Sequence, residues 1–359
     1  MKVCFIDYDY SVMGGIEKVL IDLAKSLNGK YEVSILSILS KNKKPYFPLS
    51  ENIPVTVLCE KEKRLRCLIK DCKDPLKNFF KKNNPDICLI FGTYPIPILI
   101  KTILSSKCKF IFCDHGALIN QWSDKKQTFF RFIASKICTK TIALTKRNKD
   151  DYIKRFLVPK KKIDYIYNPA PDNIIYKPYD TSIKRILSIG RFSHEKGLDL
   201  LVEVAKSVLE KQPEWEWHIY GEGETFNQTK KDIEIKGLSN RVILCGKVAS
   251  TADIYKNYSI FTLTSYREGL PLVLIEAKTA GLPMVSFDCI TGPSEIIENG
   301  ENGFLIPCYD KDLMSYKINE LINNDEMRLT FSKNALKNLD AFKKENITAQ
   351  WINLIESFK

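Results

Sequence analysis

Short apolar runs alternate with helix-patterned segments from one end of this chain to the other, and that alternation narrows the possible folds more than any other feature. In the first half, strand-like runs fall at residues 2–7, 32–36, 54–58, 86–91, 109–113 and 141–144. Between them lie amphipathic segments such as 16–27, where Val19, Leu20, Leu23 and Leu27 recur at helical spacing, and 129–137 and 150–156. Runs this short and this continuously apolar suit parallel strands buried on both faces, joined by crossover helices. Asn168-Pro169-Ala170-Pro171 then interrupts the pattern, because proline removes a donor and pushes the preceding residue out of helical geometry. The pattern restarts with strands at 185–189, 216–220, 242–244, 260–263, 284–287 and 304–306 and helices at 198–209, 310–322 and 326–341. A last helix, 347–358, carries Trp351, Leu354 and Ile355 on one face. The expectation is an α/β protein of two domains, 1–168 and 184–341, with a linker at 169–183 and a terminal helical segment at 342–359.

Charge sharpens the division. The 359 residues hold 55 Lys and Arg against 43 Asp and Glu, a net +12, but residues 1–170 alone hold 32 against 16. A basic half invites nucleic-acid or membrane-surface partners. The lysine clusters at 41–44, 61–66, 81–82 and 160–162 fall in expected loops or on helix surfaces and lack the interleaved aromatics of a nucleic-acid platform, so no nucleic-acid partner is expected. The start of the chain reads as a strand and lacks the apolar run of a secretory leader. The longest uncharged stretch, 87–100, is short of the roughly 20 residues a membrane helix needs and contains Gly92, Pro95 and Pro97. Eleven cysteines without a Cys-x-x-Cys motif fit reduced core thiols of a cytosolic protein. The pairs Cys67/Cys72 and Cys108/Cys113, with only His115, His194 and His218 to join them, read as core packing, and no metal site is expected.

Three segments carry chemistry. Gly14-Gly15-Ile16-Glu17 follows the first strand and opens the first helix, where bare backbone and unpaired N–H groups suit either an anion or a plain turn. Gly190-Arg191-Phe192 with Lys196-Gly197 occupies the matching loop of the second half. A guanidinium and an ammonium there can bind a phosphate pair, each gaining on the order of 4 kcal/mol at about 4 Å before desolvation, or remain surface charges. Glu268-Gly269-Leu270-Pro271-Leu272 leads into a helix containing Glu276, since proline suits a first helical turn. Both carboxylates can then face one site and take sugar or ribose hydroxyls, or serve as an ion pair and a capping acid. His115 ends a strand, placed to bond a substrate or to cap the next helix. Asp7-Tyr8-Asp9 has the form of a metal-binding Asp-x-Asp but stands too early in the chain, ahead of the glycine pair.

Together these segments resemble glycosyltransferase family 4, retaining enzymes of the GT-B fold. The resemblance spans essentially the whole chain and rests on Gly14 to Glu17, on Gly190-Arg191-Phe192 with Lys196-Gly197, and on Glu268 to Glu276, similar to the family's E-x7-E. It implies two Rossmann-like domains facing across a cleft, the last helix returning to the first domain. It also implies that Arg191 and Lys196 bind the donor diphosphate, that Glu268 contacts sugar hydroxyls and that Glu276 holds the ribose. Gly15, Gly190, Gly269, Leu270 and Leu272 would approach the donor, Val248 in Gly246-Lys247-Val248 would lie beside the nucleobase, and Gly14 and His115 would stand on the acceptor side, His115 near the transferred sugar. Arg191, Lys196, Glu268 and His115 form the implied catalytic set. The linker departs from the family in reading Asn-Pro-Ala-Pro, where relatives carry Asn-Gly after the proline. Residues 286–295 resemble a branch that uses UDP-hexoses or UDP-N-acetylhexosamines for surface polysaccharides. The implied enzyme is metal-independent, moves such a sugar from a nucleotide-sugar to a glycan or polyprenyl-diphosphate-linked acceptor, and is cytoplasmic and peripheral at the inner face of an anionic membrane. The competing reading is a non-catalytic protein that binds a nucleotide-sugar or an anionic surface.

Overall fold

The computed structural model describes residues 1–359 except positions 13, 43, 44, 172, 173, 175 and 249. Lys43 and Lys44 of the expected loop cluster and three positions of the expected linker thus lie outside the described residues. The chain divides into two compact units, Met1–Asn168 with Glu345–Lys359, and Pro169–Lys344.

The first unit runs β1 (Lys2–Asp9), α1 (Gly15–Leu27), β2 (Glu32–Leu39), β3 (Val55–Cys59), α2 (Leu65–Asp71), α3 (Lys73–Asn83), β4 (Ile87–Phe91), α4 (Ile96–Ser105), β5 (Lys109–Asp114), α5 (Lys125–Ile137), β6 (Lys140–Ala143), α6 (Lys146–Phe156) and β7 (Ile163–Tyr165). Its seven strands are parallel in the order β3-β2-β1-β4-β5-β6-β7. Strand β1 shows why its apolar run is unbroken: Cys4 and Ile6 enter the core on one face of the sheet while Val3 and Phe5 enter the core on the other.

The second unit runs β8 (Arg185–Ile189), α7 (Leu198–Leu209), β9 (Glu216–Tyr220), α8 (Phe226–Ile235), β10 (Val242–Gly246), β11 (Ile260–Leu263), α9 (Leu272–Thr279), β12 (Met284–Phe287), β13 (Gly303–Ile306), α10 (Lys311–Ile322) and α11 (Asp325–Ala335). Six parallel strands form the sheet β10-β9-β8-β11-β12-β13. The last helix, α12 (Lys344–Glu356), buries Ile347, Trp351 and Ile355 in the core of the first unit, and its Glu356 accepts a 2.7 Å hydrogen bond from the Tyr31 hydroxyl.

Several elements differ from the sequence expectation. Strand β7 pairs with β6 over three residues, too short a run to stand out beside Lys160–Lys162. Helices α2 and α3 occupy what read only as lysine clusters, each burying just one or two apolar side chains. Pro95 and Pro97, which read as interruptions, start helix α4, where a first-turn proline forfeits no hydrogen bond. The helix expected over 326–341 stops at Ala335, and Asn338 adopts a left-handed φ of +57° before one 3-10 turn at Leu339–Phe342. The segment read as a linker belongs to the second unit, where the Tyr179 hydroxyl donates to the Ser259 carbonyl at 2.7 Å. All eleven cysteines are free thiols, yet Cys67 and Cys308 are exposed rather than in the core.

One buried charge stands out. Lys278 on α9 is 2% exposed, and its ammonium has no hydrogen-bond partner among the described residues. Burial lowers its pKa, with the Glu298 carboxylate acting in the opposite sense. An unpaired buried cation is costly, and an apolar side chain of similar length removes that cost. Lys278→Met is therefore expected to stabilise the protein by about 1–3 kcal/mol, seen as a higher Tm in thermal melts at neutral pH. A lowered Tm would show that the ammonium contributes to stability.

Candidate active site

In a parallel sheet, ligands gather beyond the carboxyl ends of the strands, above all where the strand order reverses. The reversals lie between β1 and β4 in the first unit and between β8 and β11 in the second.

In the second unit, the loop after β8 ends in a turn at His194–Lys196 and then Gly197, whose φ is +60°. A side chain at Gly197 would collide with the Thr264 carbonyl, so glycine is needed for both conformation and space. This close approach draws together the loops after β8 and β11. The Tyr266 amide donates to the Glu195 carbonyl at 2.8 Å, and the Thr264 hydroxyl donates to the Lys196 carbonyl at 3.3 Å. The Lys196 ammonium then donates to Glu268 Oε1 at 2.6 Å, and the Ser265 hydroxyl donates to the same oxygen at 2.6 Å. Behind them, the Thr291 hydroxyl donates to the Glu268 carbonyl at 2.6 Å and fixes the loop. Arg191 stands exposed on the same loop as Lys196, with no side-chain hydrogen bond or ion pair among the described residues.

Pro271 caps α9, Gly269 and Leu270 lead up to it, and Leu272 is the first residue of the helix, where the first amides lack intrahelical acceptors. Within the helix, the buried Glu276 carboxylate accepts from the Thr251 hydroxyl at 2.8 Å and the Tyr255 hydroxyl at 2.7 Å. Burial and then the neighbouring carboxylate push the Tyr255 phenol well above its ordinary pKa, so it remains a donor. Three residues before Thr251 in the chain, Val248 is half-buried, and Lys247 pairs with Glu222 at 3.0 Å.

The first unit presents its own edge. Gly14 caps α1, with the Lys18 amide donating to its carbonyl at 3.1 Å. A side chain at Gly14 would collide with the Glu17 carboxylate, whereas one at Gly15 would meet nothing within 4 Å. Close to Glu17 of this turn, Asp7 is buried and its Oδ2 has no hydrogen-bond partner among the described residues. Burial, followed by the negative charge of Glu17, pushes its pKa up to about 7. Asp9 accepts instead from the Ser11 amide at 3.1 Å, the Ser11 hydroxyl at 2.6 Å and the Lys41 amide at 3.2 Å. Among the described residues, no group of three or more His, Cys, Asp or Glu side chains is placed to hold a metal ion.

His115 follows β5 and stacks on Phe91, with ring centroids 4.9 Å apart and planes 14° from parallel. Burial pulls its pKa down to about 4, against the opposing pull of Asp114, so the imidazole is neutral at physiological pH. A buried network underlies it. Arg131 Nε contacts both Asp114 oxygens at 3.1 Å, the Tyr152 hydroxyl donates to Asp114 Oδ2 at 2.8 Å, and the Asn148 amide donates to the same oxygen at 3.2 Å and to the Gly116 carbonyl at 3.1 Å. A side chain at Gly116 would collide with the Arg131 guanidinium. The loop bearing His115 is thus held by a charged network below it.

Residues 13–173 match Glycosyltransferase Family 4 and residues 177–338 match Glycosyl transferases group 1. The chain is a family 4 glycosyltransferase. It is 26% identical over 354 residues to the amylovoran biosynthesis glycosyltransferase AmsD of Erwinia amylovora, covering 95% of this chain and 96% of that one. It is also 26% identical over 375 residues to a Campylobacter jejuni enzyme that adds N-acetyl-D-galactosamine to a diphosphoundecaprenol-linked glycan, covering 100% of this chain and 99% of that one. In fold it is similar to Anabaena HepE in complex with UDP-glucose, with a TM-score of 0.81, 19% identity and coverage of 99% and 100%. The two parallel sheets and their helices are the GT-B architecture.

Within this glycosyltransferase, Lys196 and Glu268 come together on the loops at the reversal of the second sheet, Arg191 lies on the same loop as Lys196, and Glu276 is held one turn into α9. Gly14, Gly15 and His115 lie on the loops of the first sheet. Glu268 does form an ion pair, and its partner is the lysine assigned to the diphosphate. His115 stacks on Phe91 rather than capping a helix. Sequence reasoning missed Ser265, Thr251, Tyr255 and the Asp114–Arg131–Asn148–Tyr152 network. Only Asp114, adjacent to His115, carried a signal.

The Asp7 carboxyl yields a test with a definite sign. An unfolded aspartate loses its proton near pH 4, while the folded one keeps it to about 7, so stability falls as pH rises through that window. Asp7→Asn should leave the urea midpoint unchanged near pH 4 and raise it near pH 8. An equal shift at both values would show that the proton on Asp7 plays no part.

Proposed function

We propose that this enzyme transfers a hexose or N-acetylhexosamine, with retention and without a metal ion, from a UDP-sugar to a glycan or polyprenyl-diphosphate-linked acceptor in surface-polysaccharide synthesis at the inner face of the cell membrane. The observation that carries the proposal is the Lys196–Glu268 contact of 2.6 Å beside exposed Arg191, at the reversal of the second sheet. An ammonium has three donors, and only one is needed for Glu268. The other two, with the Arg191 fork, suit the oxygens of a diphosphate. Glu268 would then reach the sugar hydroxyls while paired to the cation that holds the leaving group, coupling sugar position to phosphate position.

Glu276 suits the ribose, because Thr251 and Tyr255 orient its carboxylate through hydroxyl donors that leave its charge in place, and a carboxylate accepts readily from sugar hydroxyls. In same-face substitution, the bond from the anomeric carbon to the diphosphate breaks, the bond to the acceptor oxygen forms on that face, and the acceptor's proton passes to the departing phosphate oxygen. Charge grows on the diphosphate, where preorganised cations contribute most. Neutral His115 would offer a sugar hydroxyl a hydrogen bond without adding charge. The UDP-glucose complex of HepE supports a UDP donor, and the Campylobacter relative supports a lipid-linked acceptor. The basic first half suits an anionic leaflet.

Arg191→Ala removes an exposed side chain with no hydrogen bond or ion pair among the described residues, so Tm should hold while turnover falls about 10²- to 10³-fold. Lys196→Ala should lower turnover at least as much. Wild-type turnover in both would sink the donor-site assignment. Thermal-shift screening should show stabilisation by UDP and UDP-sugars, and stabilisation confined to GDP-sugars would overturn the choice of nucleotide.

A further inference from the structure

Helix α5 carries apolar residues on more than its core-facing side. Phe130, Ile133 and Ile137 pack partly buried against the core beside buried Gln127, Arg131, Ala134 and Ser135, while Phe129 and Phe132 are 56% and 39% exposed. At about 100° per residue, Lys125, Phe129, Phe132 and Lys136 fall in a stripe about 60° wide, opposite the buried face. All four are exposed, so two phenylalanines sit in solvent with a lysine at either end.

Neighbouring elements extend the stripe into a patch. Phe156, at the end of α6, packs against Phe132 at 5.4 Å and against Trp122 at 6.1 Å between ring centroids. Trp122 is 42% exposed, and Leu157, the next residue along, is 78% exposed. The Lys136 ammonium donates to the Phe156 carbonyl at 2.7 Å and lies 5.4 Å from the Phe132 ring, while the Arg155 guanidinium lies 4.8 Å from the Trp122 ring. Lys162 donates to the Lys136 carbonyl at 3.0 Å, which brings the exposed Lys160 and Lys161 to the same border. Residues 122–162 hold thirteen Lys and Arg against three Asp; Arg131 among them is buried against Asp114 and Lys149 is paired with Asp164, while Lys125, Lys136, Arg155, Lys160 and Lys161 are exposed around the patch. The acid nearest the stripe, Asp124, is occupied in accepting the Lys126 and Gln127 amides at 3.0 Å.

We propose that this face of the first unit docks on an anionic lipid surface, with Trp122, Phe129, Phe132 and Leu157 entering the interfacial layer and the surrounding Lys and Arg contacting headgroups. Charge complementarity selects the occupant. Aromatic side chains with flanking lysines, whose stems reach outward to a charged plane, match the boundary between acyl chains and headgroups. A row of cations gains from many weak contacts with a fluid anionic surface, without the fixed acid partners a protein interface would need. No helix among the described residues is long and apolar enough to cross a membrane, so the contact is peripheral. The proposal rests on the lipid-linked acceptor reading for its purpose, since such an acceptor brings the enzyme to a leaflet, but its evidence is separate.

The test uses the full chain with vesicles of phosphatidylglycerol mixed with phosphatidylcholine, and of phosphatidylcholine alone. Of the four tryptophans, Trp215, Trp217 and Trp351 are buried, so a blue shift in emission reports Trp122. Wild-type protein should sediment with the anionic vesicles and show that shift, and phosphatidylcholine alone should bind at least tenfold more weakly. Phe129→Ser with Phe132→Ser, and separately Lys160→Glu with Lys161→Glu, should each weaken binding to anionic vesicles about tenfold or more, with Tm held. Undiminished binding by both variants, or no binding by wild type, overturns the proposal. Self-association of wild type that the phenylalanine variant abolishes, without vesicle binding, would assign the patch to a protein contact and also overturn it. Hydrolysis of a UDP-sugar without vesicles should be unchanged in these variants. Its absence in wild type alongside intact vesicle binding would defeat the proposed reaction and leave the surface standing.

Discussion

A parallel strand can be followed by its neighbour only after the chain has crossed back over one face of the sheet, and in this protein most of those crossings are helices. With both faces covered, the sheets have no exposed surface on which to build a site. Function is pushed to the loops at the strand ends, and the reversal of strand order decides which loops diverge enough to admit a ligand. That constraint places Gly14 and Gly15 on one sheet and Lys196 and Glu268 on the other before any side-chain chemistry is considered.

The two glutamates of the second unit show how one segment gives similar residues different work. Glu268 precedes the helix and is tied to a cation, so its position depends on whatever else that cation binds. Glu276 lies inside the helix and is held by two neutral hydroxyls, Thr251 and Tyr255. An ion pair can be shared with an anionic ligand, whereas hydroxyl donors hold a carboxylate without cancelling its charge. In the proposed reaction the first arrangement would respond to a diphosphate, while the second would stay fixed for a ribose hydroxyl.

Much of this was legible in the sequence, because buried parallel strands leave unbroken apolar runs such as Val3 to Ile6, and because glycine marks loops that must approach one another, as Gly197 approaches Thr264. What escaped notice had physical reasons. Strand β7 is edge-placed and three residues long, and α2 and α3 bury too few side chains to generate a helical period. The residues supporting His115 come from β5, α5 and α6, spread from Asp114 to Tyr152, and no local spacing records a contact made only by the fold. Thr251 and Tyr255 are likewise twenty or more residues from Glu276.

The same network accounts for the unusual outer surface. Asp114 ends β5 under the His115 loop, and a buried carboxylate there requires donors. Helix α5 supplies Arg131 for this purpose, and Gln127 for a bond with Thr93. Once polar side chains are committed inward at 127 and 131, helical periodicity sends 125, 129, 132 and 136 outward. A chain selected only for solubility would fill those positions with polar residues. Two phenylalanines remain there, beside Trp122 and Leu157, in the most basic stretch of the first unit. The inward demand explains why α5 sends Gln127 and Arg131 toward the core beside Phe130, Ile133 and Ile137, and it leaves the outward positions open to the proposed lipid contact.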